Sequence, residues 1–334
     1  MDQRYHSLKQ WLTQHLPQEI EITPILGDAS FRRYFRINDK QQTYIAMDSP
    51  PHLENPQPFV AIAKTFAQLG LSVPTIHAAD LKEGYLLISD LGDQLYLSAL
   101  NTTSANHLYT IAMNELNIIQ SCQNITDWDL PPFDEKFMLT ELHNCQHWFF
   151  ERHLGITIDD SLVQMLNKTN QSLLQSALEQ PQCCVHRDYH SRNLMVLPQQ
   201  GVGILDFQDA VWGPITYDLM SLLKDCYIAW PSDQVTHWAL SFYEQRREAG
   251  VLKNSNPEQF IRWFDLMGMQ RHMKCLFIFS RKYHRDSTTS YLKYLPQTLN
   301  YLIASSANYA EFSSFHTWLI NEIAPKLQAV EVTA

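Results

Sequence analysis

The chain has 334 residues, 45% of them hydrophobic, 12% aromatic and only 18% charged, with a formal net charge of −10. That composition excludes a disordered chain and gives enough core for two domains or one large two-lobed unit. The acidic balance argues against a nucleic-acid protein, and the ten glycines, with no G-x-G-x-x-G and no G-x-x-x-x-G-K-[ST], argue against a glycine-fingered dinucleotide or phosphate loop.

The stripe Tyr5, Leu8, Trp11, Leu12, His15 and Leu16 predicts a helix over 5–16. After Gly27, the alternating aromatic run Phe31–Ile37 predicts a strand, Asn38–Lys40 a turn and Thr43–Met47 the returning strand. Pro50, Pro51, Pro56 and Pro58 form a rigid connector to a helix from Phe59 to Leu69, closed by Gly70. Val73–Ile76 and Tyr85–Ile88 are two more strands, ending at Ser89-Asp90-Leu91-Gly92. Beyond them amphipathic helices dominate, over roughly 105–121, 136–153, 160–179, 216–229, 233–249, 257–282, 291–304 and 308–328. The exception is a strand-turn-strand island at 183–207. The expectation is an α+β chain: a sheet-rich lobe over 1–88, a hinge at 89–92 and a helical lobe over 93–334.

Six cysteines without C-x-x-C spacing read as core residues of a reducing compartment. Residues 1–6 lead into no apolar run, and no uncharged stretch approaches a membrane span. A soluble cytoplasmic protein, with no membrane or nucleic-acid partner, is expected.

The island reads His186-Arg187-Asp188-Tyr189-His190-Ser191-Arg192-Asn193, then Leu205-Asp206-Phe207-Gln208. Asn193 follows Asp188 by five residues and Asp206 follows Asn193 by 13, the spacing of a phosphoryl-transfer site of the H-R-D-x-x-x-x-N plus D-F-G type. Such a site needs a carboxylate to accept a hydroxyl proton, and an Asn and a second Asp to bring hard oxygens to Mg²⁺. His284-Arg285-Asp286 repeats the tripeptide, but Tyr291 stands where the Asn should be and no D-F follows. That copy reads as a solvated loop. His143 and His147 lie i,i+4, but Asn144 replaces the Glu of a zinc-binding H-E-x-x-H, so they read as ordinary helix histidines.

The run His186 to Asp209, followed by Tyr217-Asp218-Leu219 and Ser221-Leu222-Leu223, resembles the aminoglycoside phosphotransferase-like kinases, relatives of the protein kinases. Gly27–Arg36, Met47–Pro51, Glu54-Asn55-Pro56 and Gly268–Lys274 are similar to one subgroup, the anomeric N-acetylmuramate/N-acetylglucosamine kinases of bacterial cell-wall recycling. The resemblance implies a protein-kinase-like two-lobed fold. It also implies ATP-dependent, Mg²⁺-assisted phosphorylation of the C1 hydroxyl of an N-acetylated amino sugar.

Carried over by position, the resemblance makes Asp188 the catalytic base and Asn193 and Asp206 the Mg²⁺ ligands. Ser89, Asp90 and Leu91 become the hinge that meets the adenine, and His190 a group near the γ-phosphate. Asp218 braces the catalytic loop. Ser30, Arg32 and Arg33 belong with ATP, and Arg192, Asp209 and Arg271 with the sugar, the two arginines as partners for a lactyl carboxylate.

One departure is that Met47 stands where kinases place a lysine, and the next helix begins Phe59-Val60-Ala61-Ile62, without the partner glutamate. Arg33 is expected to take over that lysine's work, with Arg32 the alternative if the register shifts by one. Two other readings stay open: a kinase of an aminoglycoside or choline-like amine, and a nucleotide-binding pseudokinase scaffold.

Overall fold

A computed structural model describes residues 2–16, 19–25, 31–198 and 201–333. In chain order it runs α1 (Gln3–Leu12), β1 (Glu21–Ile25), β2 (Arg33–Asn38), β3 (Thr43–Asp48), α2 (Gln57–Gln68), β4 (Ile76–Asp80), β5 (Tyr85–Ser89), α3 (Tyr96–Ala99), α4 (Ala105–Ser121), α5 (Glu135–Cys145), α6 (Asp160–Leu178), β6 (Gln182–Val185), β7 (Leu194–Val196), β8 (Val202–Ile204) and β9 (Val211–Pro214). Then follow α7 (Tyr217–Leu223), α8 (Ser232–Glu248), α9 (Pro257–Asp286), α10 (Leu295–Ala307), α11 (Ser313–Trp318) and α12 (Ala324–Thr333). Packing divides the chain into two units. One is Met1–Leu100 with Cys122–Leu130 and Arg192–Ala210; the other is Asn101–Ser121 with Pro131–Ser191 and Val211–Ala334.

The first unit is built on an antiparallel sheet of order β1-β2-β3-β5-β4. The turn between β2 and β3 is held by Asp39 Oδ1, which accepts from the backbone N–H of Gln41 and Gln42. Lys40 there takes a left-handed φ of 70°. Strand alternation sorts the side chains into two faces. One row pairs Arg33 with Asp48 and Asp48 with Tyr85; the next pairs Phe35 with Ala46 and Ala46 with Leu87. That face receives Leu8, Trp11 and Leu12 of α1. The opposite face carries Tyr34, Met47 and Leu86 in register. The β7–β8 hairpin belongs to the same unit, tied by Ile204 N–H to Ser72 O (2.8 Å) and Val196 N–H to Gln94 O (2.7 Å).

The second unit is helical around α9, a 30-residue helix buried almost continuously from Trp263 to Ser280. Asp134, Asp159 and Asn256 start α5, α6 and α9 by accepting from Phe137, Leu162 and Gln259 N–H. Gly268 sets how closely α9 crosses α7: a Cβ there would lie 3.3 Å from Met220 Cγ. No helix among the described residues is long and apolar enough to cross a membrane.

Several elements differ from their sequence expectations, each for a local reason. β1 went unforeseen because Glu21 and Pro24 are poor strand formers, tolerated here in an edge strand. The strand expected at 73–76 starts at Ile76; Ser72 instead meets β8, and Pro74 has no N–H for a ladder. The helix expected over 216–229 stops at Leu223, because Asp225 turns back to accept from the N–H of Ser191 and Tyr227. The helix expected over 136–153 passes into a π-helical stretch at Gln146–His153. The second His-Arg-Asp is the last turn of α9 rather than a loop, with Arg285 paired to Asp286 at 2.7 Å.

Candidate active site

The catalytic-loop sequence begins where β6 ends, in the helical unit. Asp218, wholly buried in α7, accepts from His186 N–H (2.6 Å) and Arg187 N–H (2.9 Å). Burial pushes its carboxyl up to about 6 despite those two donors. Arg187 holds a left-handed φ of 75°, and its guanidinium donates to Glu141 (3.0 Å) while lying over the Phe137 ring. Asp188 is held from behind by α9. Lys274 Nζ donates to Asp188 Oδ1 at 3.2 Å, and Arg271 Nη2 lies 3.7 Å from the same oxygen. The two cations are 5% and 3% exposed, the Asp188 side chain 31%. Burial opposes ionisation of Asp188, but Lys274 and then Arg271 more than reverse it and hold the carboxyl well below its usual range.

His190 is buried against Tyr227, and its Nδ1 has no hydrogen-bond partner among the described residues. Burial lowers it to about 4, so the imidazole is neutral at physiological pH. Ser191 closes this half of the loop by donating N–H and Oγ–H to Asp225, at 3.0 and 2.5 Å.

The chain returns to the sheet unit at Arg192, which is half-buried. Asn193 O accepts from Leu205 N–H (2.9 Å), and its Nδ2 lies 3.4 Å from Asp206 Oδ2. The hairpin thus sets together two residues 13 apart in sequence. Asp206 sits at φ 61° with its side chain exposed, and its Oδ1 accepts from Gln208 Nε2 (2.8 Å). Phe207 anchors the turn by packing on Phe59 and Phe66 of α2. Asp209 is exposed beside Gln208.

Tyr34 shares the field of Asp206 with Arg32 and Glu54, and burial pushes its phenol up to about 12. Arg32 Nε lies 2.8 Å from Glu54 Oε2. Arg33 is on the other face, the one α1 covers, where it and Arg4 both bind the fully buried Asp48. The strand alternates as expected, and Arg33 shares the face of Phe35 that packs against α1. Arg36 clamps the 89–93 segment through Asp90 (2.7 Å) and Asp93 (2.7 Å). Ser89 exchanges hydrogen bonds with Thr75, and Leu91 packs where a Cβ on Gly203 would fall. Ser30 lies outside the described residues.

The sequence matches the model of the phosphotransferase enzyme family over residues 21–251. The chain belongs to this family. It is 41% identical to a Pseudomonas putida protein named N-acetylmuramate/N-acetylglucosamine kinase, over 84% of this chain and 82% of that one. It is 39% identical to a Pseudomonas aeruginosa protein of the same name, over 93% and 95%. Among solved structures, a Plasmodium vivax ethanolamine kinase superposes with a TM-score of 0.64 at 14% identity, covering 90% of this chain and 87% of that one. An aminoglycoside phosphotransferase gives 0.60 at 14% identity, over 88% and 97%. The fold is therefore the protein-kinase-like fold of these phosphotransferases.

As a phosphotransferase, the chain is one that uses ATP and, typically for such enzymes, a divalent metal. The donors fit one. Asp206 and Asn193 offer hard oxygens side by side, and no group of three or more His, Cys, Asp or Glu among the described residues forms a closed metal cage. A kinase metal needs only one or two protein ligands, because phosphates and waters complete its shell. Sequence reasoning gave no role to Lys274, Glu54 or Glu141. Lys274 did leave a signal: a lysine inside a helix buried on all sides must have an anionic partner.

Proposed function

We propose that this phosphotransferase moves the γ-phosphoryl group of ATP to the C1 hydroxyl of N-acetylmuramate or N-acetylglucosamine, in cytoplasmic recycling of cell-wall sugars. The observation that carries the reading is Asp188, a partly exposed carboxylate on a loop whose neighbours His186, Tyr189, His190 and Ser191 are buried. The names of the relatives supply the sugar. An anomeric hydroxyl is more acidic than an ordinary alcohol, so a weakly basic carboxylate serves it. The sugar oxygen bonds to the γ-phosphorus as the bond to the ADP oxygen breaks, and the hydroxyl proton passes to Asp188. Mg²⁺, held by Asp206 and Asn193, would neutralise charge on the phosphates. Ser89, Asp90 and Leu91 meet the adenine. His190 offers Nδ1 near the transferred group, and Arg192 and Asp209 face the sugar. A cationic acceptor, such as choline or an aminoglycoside, would be repelled by Lys274 and Arg271 beside the base.

The product carries phosphate on C1, read by phosphorus NMR, and the O1-methyl glycoside of the same sugar is not phosphorylated. Phosphorylation of that glycoside would refute the anomeric reading and leave the kinase standing.

With lysine absent at position 47, we assign the α/β-phosphate contact to Arg32, with Glu54 standing in for the glutamate that usually pairs with it. Arg32→Ala then raises the KM for ATP and lowers kcat/KM by about ten- to a hundredfold, the worth of a charge-assisted hydrogen bond. Arg33→Ala leaves ATP kinetics alone and lowers Tm, because it strips a buried carboxylate of one partner. Equal kinetic effects from the two variants would remove Arg32 from this role.

A further inference from the structure

Asp188 has more positive charge against it than an ion pair needs. A buried structural pair balances one cation with one anion, since each unmatched buried charge is costly. Here one oxygen, Asp188 Oδ1, takes both Lys274 at 3.2 Å and Arg271 at 3.7 Å. Among the described residues, Lys274 Nζ also lies 3.4 Å from Tyr217 Oη and Arg271 Nη1 3.2 Å from Cys275 Sγ, while the Glu141 carboxylate adds a weaker negative field at Lys274. Lys274 and Arg271 lie on successive turns of α9, and Gln270 on the same helix grips Glu141 (2.7 Å), which grips Arg187. One helix thus holds the catalytic loop at two adjacent points.

We propose that Lys274, together with Arg271, is a positioning residue for the transfer: the two buried cations fix the Asp188 side chain and keep it a carboxylate until the acceptor hydroxyl arrives. The inference rests on Asp188 being the base. It also reassigns Arg271 from the sugar to the base and leaves Arg192 as the arginine available to a lactyl group. Among the described residues, the groups that face Asp188 include Lys274 and Arg271 from α9, with His186, Arg187 and His190 from its own loop; Tyr217 of α7 reaches it through Lys274.

The sign follows from charge. A neighbouring cation lowers a carboxyl pKa, and activity that needs the carboxylate is lost as pH falls through that pKa. Removing Lys274 therefore moves the acid limb of the kcat profile upward. For Lys274→Met we expect kcat to fall by about tenfold near neutral pH, less than the roughly 10²- to 10⁴-fold worth of the base itself because the base stays in place. The KM values for ATP and sugar should stay within about twofold, the pattern of an interaction used only in transfer. The acid limb should rise by about one pH unit, and the ¹³Cγ resonance of Asp188 should titrate higher by the same margin. Lys274→Arg, which keeps the charge, should restore the wild-type limb. A folded Lys274→Met protein with wild-type kcat and acid limb would overturn the inference. Should that variant not fold, Arg271→Gln must raise the same limb, and an unmoved limb would overturn it equally. A wild-type product phosphorylated elsewhere than C1 would refute the sugar reading alone.

Discussion

Replacing Asp188 by asparagine lowers kcat by about 10²- to 10⁴-fold, the usual contribution of a positioned general base. The Kd for ATP should stay within about twofold, because nothing assigned to the nucleotide is touched. The substitution keeps size and hydrogen-bonding shape but leaves Lys274 and Arg271 without their anion, so a modest fall in Tm accompanies it. Steady-state kinetics with Mg-ATP and the amino sugar, beside isothermal titration with ATP, separate the two effects. A variant turning over within a few-fold of wild type would take the base role from Asp188.

Asp206→Ala gives the second large effect, a loss of at least about a hundredfold in kcat together with weakened metal-dependent ATP binding, as expected when a metal ligand is deleted. Asp286→Ala is the matched control. Asp286 closes the other His-Arg-Asp, but it sits on the last turn of α9 and pairs with its own neighbour Arg285. Exposed pairs of that kind are worth about 0–1 kcal/mol, so turnover and ATP affinity should not change. Titrating Mg²⁺ at fixed ATP for both variants makes the comparison, and matching behaviour would mean that spacing singled out the wrong copy.

What could be foreseen from the sequence was what is local in sequence. Asp188, Asn193, Asp206 and Asp218 announce themselves because a tight loop, a hairpin and a short helix bring near neighbours together. The β2–β3 hairpin was legible for the same reason. The partners of Asp188 were not, since Lys274 and Arg271 come from 86 and 83 residues downstream and periodicity says only that their helix is buried. The surroundings of Arg33 were hidden for another reason. Alternation placed it with Phe35 correctly, but which face a strand turns to its surroundings depends on what packs there. The helix that packs there, α1, is held by Asp48, the residue that Arg33 and Arg4 share. Glu54 was hidden inside a proline-rich connector that reads as a spacer.

The left-handed backbone at Arg187 has a consequence for how the loop moves. A non-glycine residue there is disfavoured by about 1–2 kcal/mol. Its guanidinium recovers a comparable amount from a largely buried carboxylate, Glu141, and the face of Phe137. Glycine at position 187 would relieve that backbone cost but leave the largely buried Glu141 without its cation and give the unfolded chain more freedom, so the native basin would become shallower as well as wider. Arginine ties the peptide before Asp188 to α5 and makes the basin narrow, while glycine lets the same peptide sample a broad one. The backbone order parameter at Asp188 is where that change of width would register.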